Sequence, residues 1–177
     1  MPIEALKKLV PPPRHPTEVG SLEQWDAFER TLGLTLPSDY REFVFTYGSG
    51  RFAQFYGIYN PFAVSEYIAL MPSIQRVCAA TRVIKRNWPD VVPYPIYPDQ
   101  HGLLPWGSDD NGNYYFWLTK GPPDTWLVLS DEVRGEGFRE YNCTMTEFLA
   151  GVLLGEIKAL ASDYPTDEDR VFESWPK

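Results

Sequence analysis

Two adjacent aspartates are the residues most able to perform chemistry in this chain. Asp109 and Asp110 precede an Asn-Gly pair in the stretch LLPWGSDDNGNYYFWLT, residues 103–119, between a short apolar run and an aromatic one. Carboxylates in such a loop could bind a metal ion, act as a catalytic pair, or lie at the tip of a tight hairpin. Each interpretation predicts a different function, so their spacing must be compared with what each chemistry requires.

A calcium-binding loop requires oxygen ligands at fixed positions. An EF-hand places glycine at position six and carboxylates at positions one, three, five and twelve. If Gly112 is aligned with position six, position one is Gly107 and position twelve is Leu118. Because these two ligands are missing, the sequence predicts no metal site in this loop.

Carboxylate catalysis requires two acids in different environments across a cleft. Adjacent aspartates at a hairpin tip are expected to point apart into water, where their replacement by asparagine changes stability little. The chain has no G-x-S-x-G, P-loop, G-x-G-x-x-G or H-E-x-x-H motif. His15 and His101 lie in loops flanked by proline or glycine, as surface histidines do. We therefore expect no enzymatic activity, no metal and no cofactor.

The remaining interpretation of the stretch is a hairpin. Asn111-Gly112 predicts a type I′ turn, in which both central residues adopt positive φ. Side chains alternate along the next strand, so that one face carries Tyr114, Phe116 and Leu118 and the other carries Tyr115 and Trp117. Both faces are apolar. One must cover helices, and the other is either covered as well or partly exposed as an aromatic binding surface.

Capping residues and periodicity define the other elements. Capping boxes at Ser21 and Thr144 begin helices near 22–32 and 145–161, and a third helix is expected near 38–47. Residues 65–90 predict another helix, with Ser73 as a cap and a break or bend at Pro72. Residues 51–62 predict a strand closed by a turn, and residues 113–118 and 125–130 predict neighbouring antiparallel strands. This order is typical of an α+β fold.

Composition indicates a single soluble domain. The 177 residues contain no apolar stretch of roughly 20 residues, and the N-terminus does not resemble a signal peptide, so we expect a cytoplasmic protein. Cys78 and Cys143 lack the spacing of a zinc site or a disulfide framework. The formal charge of -8 disfavours nucleic acid and anionic membranes and favours a basic protein partner. We expect a Pro-rich lead at 1–19, a domain at 20–161 and an acidic tail at 162–177 that can dock on it.

Two short motifs carry a resemblance to a known family. The first is a Leu-Pro pair before an acidic and aromatic helix with a glycine-rich end: Leu36, Pro37, Tyr40, Phe43, Tyr47, Gly48 and Gly50. The second comprises Pro105, Trp106, Gly107, Asp109, Asp110, Gly112, Tyr115 and Phe116. In this order, followed by a C-terminal apolar helix, they resemble the SUKH superfamily, specifically its Smi-one/Knr-four branch. Asn113 and Thr119 depart from the pattern, because family members often carry acidic residues there.

The resemblance implies one non-catalytic α+β domain, an antiparallel sheet flanked by helices. Bacterial relatives commonly act as immunity proteins that bind a cognate toxin, often a nuclease or deaminase, and fungal relatives regulate cell-wall synthesis and signalling. We expect a toxin-neutralising protein, with an endogenous regulatory or scaffold module as the alternative. A hydrolase or small-ligand-binding protein using Asp109 and Asp110 is a third, weaker hypothesis. The partner-binding residues predicted for the first class are Trp106, Asp109, Asp110, Tyr115 and Trp117.

Overall fold

The computed structural model describes residues 2–132, 137–158 and 166–175, and these form five α-helices and seven β-strands. The helices are α1 Pro2–Leu9, α2 Leu22–Leu32, α3 Ser38–Tyr47, α4 Leu70–Asn87 and α5 Met145–Leu153. The strands are β1 Gly50–Phe52, β2 Tyr56–Ile58, β3 Leu103–Asp109, β4 Tyr114–Leu118, β5 Leu127–Glu132, β6 Gly137–Tyr141 and β7 Phe172–Ser174.

All seven strands belong to one antiparallel sheet. Their order is β6-β5-β4-β3-β2-β1-β7, so the first six strands are each paired with their neighbour in sequence. The predicted pairing of the strands near 113–118 and 125–130 is confirmed by the register of β4 and β5, in which Phe116 lies opposite Leu129. The α+β class is therefore confirmed as well.

Two helices begin as their capping boxes predict. The Ser21 hydroxyl accepts from the Gln24 backbone N–H at 3.3 Å, and the Gln24 side chain accepts from the Ser21 N–H at 2.8 Å. Thr144 and Glu147 make the same reciprocal pair before α5. Helix α5 ends at Leu153, earlier than expected, because the chain turns there through a left-handed Gly155. The last part of the predicted helix, 159–161, lies outside the described residues.

The prediction of a cap at Ser73 and a break at Pro72 is wrong. Helix α4 begins at Leu70, which places Pro72 in the first turn, where a missing N–H leaves no intrahelical hydrogen bond unmade. Ser73 is fully buried inside the helix. Pro72 therefore lies in the first turn of this helix and does not interrupt it.

The single strand predicted over 51–62 is also wrong in detail. The chain forms two short strands, β1 and β2, joined by a turn at Ala53 and Gln54, which both have positive φ. Their pairing places Phe52 opposite Tyr56. Asn60 is buried beyond β2 and donates to the Glu18 carbonyl oxygen and the Ser49 hydroxyl, both at 2.9 Å.

The N-terminal lead contains a helix that the sequence analysis did not predict. Helix α1 packs against α3 and α5, and the core includes Ile3, Leu6 and Val10. The Tyr47 hydroxyl donates to the Val10 carbonyl oxygen at 2.7 Å, which fixes the end of this helix. The proline-rich residues that follow are not helical, as expected. The domain boundaries at 19 and 161 stay predictions.

The described part of the C-terminal segment lies against the domain. Strand β7 adds to the sheet beside β1, with Arg51 opposite Glu173. The Phe172 ring lies 5.2 Å from the Tyr47 ring, and Arg170 donates to the Leu153 carbonyl oxygen at 2.7 Å. This segment is therefore held by backbone pairing, a ring contact and a side-chain hydrogen bond.

Both faces of the central strands are covered. On one face Trp117 packs against Tyr40 of α3 at 5.0 Å, and Tyr115 packs against Phe148 of α5 at 5.4 Å. On the other face Phe116 meets Phe138 at 5.6 Å. Burial of each of these side chains contributes roughly 1.5–3 kcal/mol. Of the two alternatives for the second face, the structure therefore supports the covered one.

Candidate functional site

The β3–β4 hairpin has a different turn from the one predicted. Gly112 has a φ of 84°, whereas Asn111 is not in the positive-φ region, so a type I′ turn is excluded. The Gly112 N–H donates to the Asp109 carbonyl oxygen at 3.0 Å, and the Asp109 N–H donates to the Asn113 carbonyl oxygen at 3.1 Å. This is the pattern of a three-residue loop in which a turn is followed by a left-handed glycine.

The Asp109 side chain closes this loop from inside. Its Oδ1 accepts from the backbone N–H groups of Asn111 at 2.9 Å and Asn113 at 3.0 Å. Its Oδ2 accepts from the Asn113 side-chain amide at 2.9 Å and from the Tyr115 hydroxyl at 2.7 Å. Burial raises the pKa of Tyr115, and Tyr56 and Asp109 raise it further, so Tyr115 remains protonated as a donor. The expectation of a solvated Asp109 is wrong, because the residue is only 8% exposed and its carboxylate accepts four hydrogen bonds.

Asp110 behaves as the sequence analysis expected of a turn carboxylate. Its side chain is 53% exposed and forms an ion pair with Arg51 of β1. The two aspartates therefore point in different directions and have different roles. Asp109 stabilises the loop, whereas Asp110 is available at the surface.

The three aromatic residues nominated as partner contacts lie in the core. Trp106, Tyr115 and Trp117 are at most 2% exposed. The Trp106 ring stacks on Tyr115 at 5.2 Å and lies 6.0 Å from Phe148. Their burial argues against a direct contact with a partner, because these three rings present almost no surface to solvent. Among the five nominated residues, Asp110 alone is exposed.

An open groove lies beside the hairpin, and we call it the hairpin groove. Its volume is about 400 Å³. It is lined by Arg51, Gly57, Tyr67, Ile68, Arg76, Ser108, Asp109, Asp110, Gly112, Tyr114 and Trp175. These residues come from β1, β2, the segment before α4, α4 itself, the hairpin and the C-terminal segment. The groove thus brings the Asp109-Asp110 loop together with residues that are distant from it in the sequence.

Two other depressions have less to offer a ligand. The larger has a volume of about 530 Å³ and lies at the end of α2, where Asp26, Glu29 and Arg30 line it without an aromatic side chain. The other has about 390 Å³ and is lined by Tyr97 and His101, among others. Neither combines several aromatic rings with two arginines, as the hairpin groove does.

Sequence reasoning missed Tyr67, Arg76 and Trp175 as groove residues. Tyr67 is 80% exposed, which is unusual for a residue with so much apolar surface. The signal that could have found it is its position in the turns before α4, outside any apolar periodicity. Arg76 looks like an ordinary charge on the exposed face of a helix. Trp175 reaches the groove only because β7 pairs with β1.

Neither a cluster of metal-ligating side chains nor a membrane-spanning helix occurs in the part of the chain that the structure describes. Within residues 2–132, 137–158 and 166–175, no group of three or more His, Cys, Asp or Glu side chains could hold a metal ion. His101 has positive φ and its Nδ1 lies 3.2 Å from the Thr119 carbonyl oxygen. In the same described ranges, every helix is too short or too polar to cross a membrane.

The fold and groove define a single-domain α+β protein with a seven-stranded antiparallel sheet between helices. A family model described as SMI1-KNR4 cell-wall matches residues 22–149, which is most of the chain. The chain therefore belongs to the SMI1-KNR4 family of the SUKH superfamily, as the two motifs indicated. No curated protein and no solved structure matches the chain significantly.

Proposed function

We propose that this protein is a non-catalytic immunity protein that binds and neutralises a cognate toxin of the nuclease or deaminase type in the cytoplasm. Family membership over residues 22–149 is the observation that carries this proposal. The family identity favours a protein-binding role, because the resemblance implies a domain that acts by contact with a partner. Fold alone does not determine function, so surface and charge must support the role independently.

The overall charge supports a basic partner. A formal charge of -8 produces a negative field that accelerates encounter with a positively charged protein and disfavours non-specific contact with nucleic acid. Nuclease toxins are typically basic because their substrate is anionic. Association should therefore slow as salt is added, since screening weakens steering more than it weakens close contacts.

The hairpin groove supplies the contact surface in this proposal. Trp, Tyr and Arg are the residue types that contribute most binding energy at protein interfaces, and the groove presents Trp175, Tyr67 and Arg76. Trp106, Tyr115 and Trp117 are buried in the core beneath the hairpin strands and support them there. Asp110 remains a proposed contact or steering residue because its side chain is exposed.

The test is co-expression with the toxin encoded by the neighbouring gene. Wild-type protein should preserve growth, and the double variant Tyr67→Ala, Trp175→Ala should protect less while its melting temperature stays near that of wild type. Trp88→Ala is the matched control, since Trp88 is 61% exposed and does not line the groove. Failure of the wild type to protect against any neighbouring toxin would contradict the immunity role.

A regulatory role is the second candidate. The words "cell-wall" in the family description favour a module that acts on endogenous proteins of cell-wall synthesis. Such a protein should alter growth and sensitivity to cell-wall inhibitors when its gene is deleted in a strain that has no toxin gene. An immunity protein should have no phenotype in that strain.

A further inference from the structure

Two arginines of the hairpin groove carry hydrogen-bond donors that the structure uses only in part. Each guanidinium has five N–H donors. Among contacts with described residues, Arg76 donates to the Ser73 hydroxyl at 3.1 Å and hydrogen-bonds the Tyr59 hydroxyl, and Arg51 pairs with Asp110. Arg76 is exposed on α4, and Arg51 keeps about a third of its side-chain surface in contact with solvent. Within the described part of the chain, these contacts leave several N–H donors of both guanidinium groups unused.

Three of the four carboxylate oxygens that line the groove, by contrast, already have partners. Both oxygens of Asp109 already accept two hydrogen bonds each from within the hairpin. Asp110 contributes its Oδ2 to Arg51. A ligand that presents acceptors rather than donors would thus satisfy more of the groove's hydrogen-bonding groups. Carboxylates match the forked geometry of guanidinium groups especially well.

Aromatic rings line the same groove as these arginines. Tyr67, Tyr114 and Trp175 all line the groove, and Ile68 contributes an aliphatic surface. A volume of about 400 Å³ lies in the lower part of the range for small-ligand sites. A group with both an apolar or aromatic part and an acidic part would use both kinds of lining.

The C-terminal segment forms one wall of this site. Trp175 lines the groove, and its backbone N–H donates to the Ser49 carbonyl oxygen at 3.2 Å. The segment lies so close to β1 that a Cβ built on Gly50 would be 2.5 Å from Phe172 Cζ and closer still to the Glu173 carbonyl oxygen. Glycine at position 50 is thus required for the docking of β7, and hence for the position of Trp175.

We propose that the hairpin groove is a binding site for a carboxylate joined to an aromatic group, held by Arg76 and Arg51 between Tyr67 and Trp175. The acid can be a free small molecule or part of a protein chain. This site goes beyond the proposed function, because it would exist whether or not the partner is a toxin. In this site Asp110 competes with the ligand for Arg51.

The first experiment is an NMR titration of the full chain with two acids and their neutral analogues. The acids are 3-phenylpropionate, which represents a free ligand, and acetyl-Phe-Glu-amide, which represents a protein segment. The analogues are 3-phenylpropionamide and acetyl-Phe-Gln-amide. At least one acid should shift the Trp175 indole and Tyr67 resonances with saturable, millimolar affinity, and its amide should bind at least about tenfold more weakly. Equal binding of acid and amide would overturn the proposal.

Charge variants give the sharpest test, because removing a positive charge and removing a negative charge should change the affinity for the acid in opposite directions. Arg76→Gln should weaken binding of the acid about tenfold, whereas Arg86→Gln, on the same helix but outside the groove, should leave it unchanged. Asp110→Asn should strengthen binding severalfold, because it releases Arg51 and removes a like charge. An unchanged affinity in Arg76→Gln, or weaker binding in Asp110→Asn, would refute the assignment.

The role of the C-terminal wall is tested with Gly50→Ala. Gly50 does not have a left-handed φ, so the strand backbone tolerates alanine and the strain falls on the β7 segment. This variant should lose the ligand-induced shift of Trp175 and bind the acid more weakly. Trp175→Ala should weaken binding similarly without displacing β7. If both variants bind as wild type does, the segment is not part of the site.

Discussion

Asp109→Asn should destabilise the protein substantially, although the residue lies in a surface hairpin. The carboxylate accepts four hydrogen bonds, from the Asn111 N–H, the Asn113 N–H, the Asn113 amide and the Tyr115 hydroxyl. An asparagine oxygen can still accept the two backbone bonds. Its NH₂ group, however, faces the Asn113 amide and the Tyr115 hydroxyl, which are both donors in the native arrangement.

The expected size follows from these four bonds. A hydrogen bond to a charged acceptor contributes about 1.5–3 kcal/mol, against about 0.5–1.5 kcal/mol for a neutral one, and a buried donor without a partner costs about 1–3 kcal/mol. The Tyr115 hydroxyl can rotate to accept from the new NH₂ group, so two weakened backbone bonds and one unpaired donor, the Asn113 amide, remain. Together they destabilise the folded state by about 3 kcal/mol. In a chain of 177 residues this corresponds to a melting temperature lower by roughly 10 °C.

Asp110→Asn is the matched control, because it changes the same chemistry one residue away. Its exposed ion pair with Arg51 contributes about 0–1 kcal/mol. Urea unfolding of both variants and the wild type, followed by circular dichroism, gives the free energies of unfolding at constant m-value. If the two variants differ by less than about 0.5 kcal/mol, the four hydrogen bonds do not stabilise the hairpin as the structure indicates.

Two further predictions concern the core and its pH dependence. Leu6→Ala should lower the free energy of unfolding by about 3 kcal/mol in urea unfolding because Leu6 is fully buried, whereas Lys8→Ala on the exposed face of α1 should change it by less than about 0.5 kcal/mol. Burial raises the pKa of Asp39 above 3.8 even though Thr146 donates two hydrogen bonds to it. A raised folded pKa means that Asp39 contributes stability below pH 3.8, and that this contribution is lost as pH rises through the folded pKa. The free energy of unfolding of Asp39→Asn should therefore rise relative to that of wild type as the pH increases from about 4 to neutrality. A difference between the two proteins that does not change with pH would contradict this.

Elements that depend on local signals could be predicted from the sequence. The capping boxes at Ser21 and Thr144 set the starts of α2 and α5, because both partners of each hydrogen bond lie within four residues. Helix α1 could not be found in this way. Eight residues are too few for a helix to form on propensity, so its stability comes from packing against α3 and α5.

The turn between β1 and β2 was missed for a related reason. Ala53 and Gln54 adopt positive φ without the glycine or asparagine that usually signals such a turn. Tertiary contacts compensate for the local strain, as the complete burial of Ala53 and Phe52 indicates. A local pattern of residue types cannot predict a turn that is stabilised by tertiary contacts.

The candidate site, too, could be predicted only in part from the sequence. The sequence identified the Asp109-Asp110 loop from residue type and spacing, but it could not assign one aspartate to the interior and the other to solvent. That difference depends on Asn113 and Tyr115, which reach Asp109 only after the hairpin has formed. The groove residues Tyr67 and Trp175 come together only through the complete sheet.

Tyr47 contacts both terminal segments, since its hydroxyl donates to the Val10 carbonyl oxygen just after α1 and its ring packs on Phe172. Release of either terminal segment removes contacts from the same side chain that holds the other. The two segments should consequently open together, with similar protection factors in amide hydrogen exchange, even though they lie at opposite ends of the sequence. A ligand in the hairpin groove that holds Trp175 in place would then slow exchange in α1, on a part of the molecule that it does not touch.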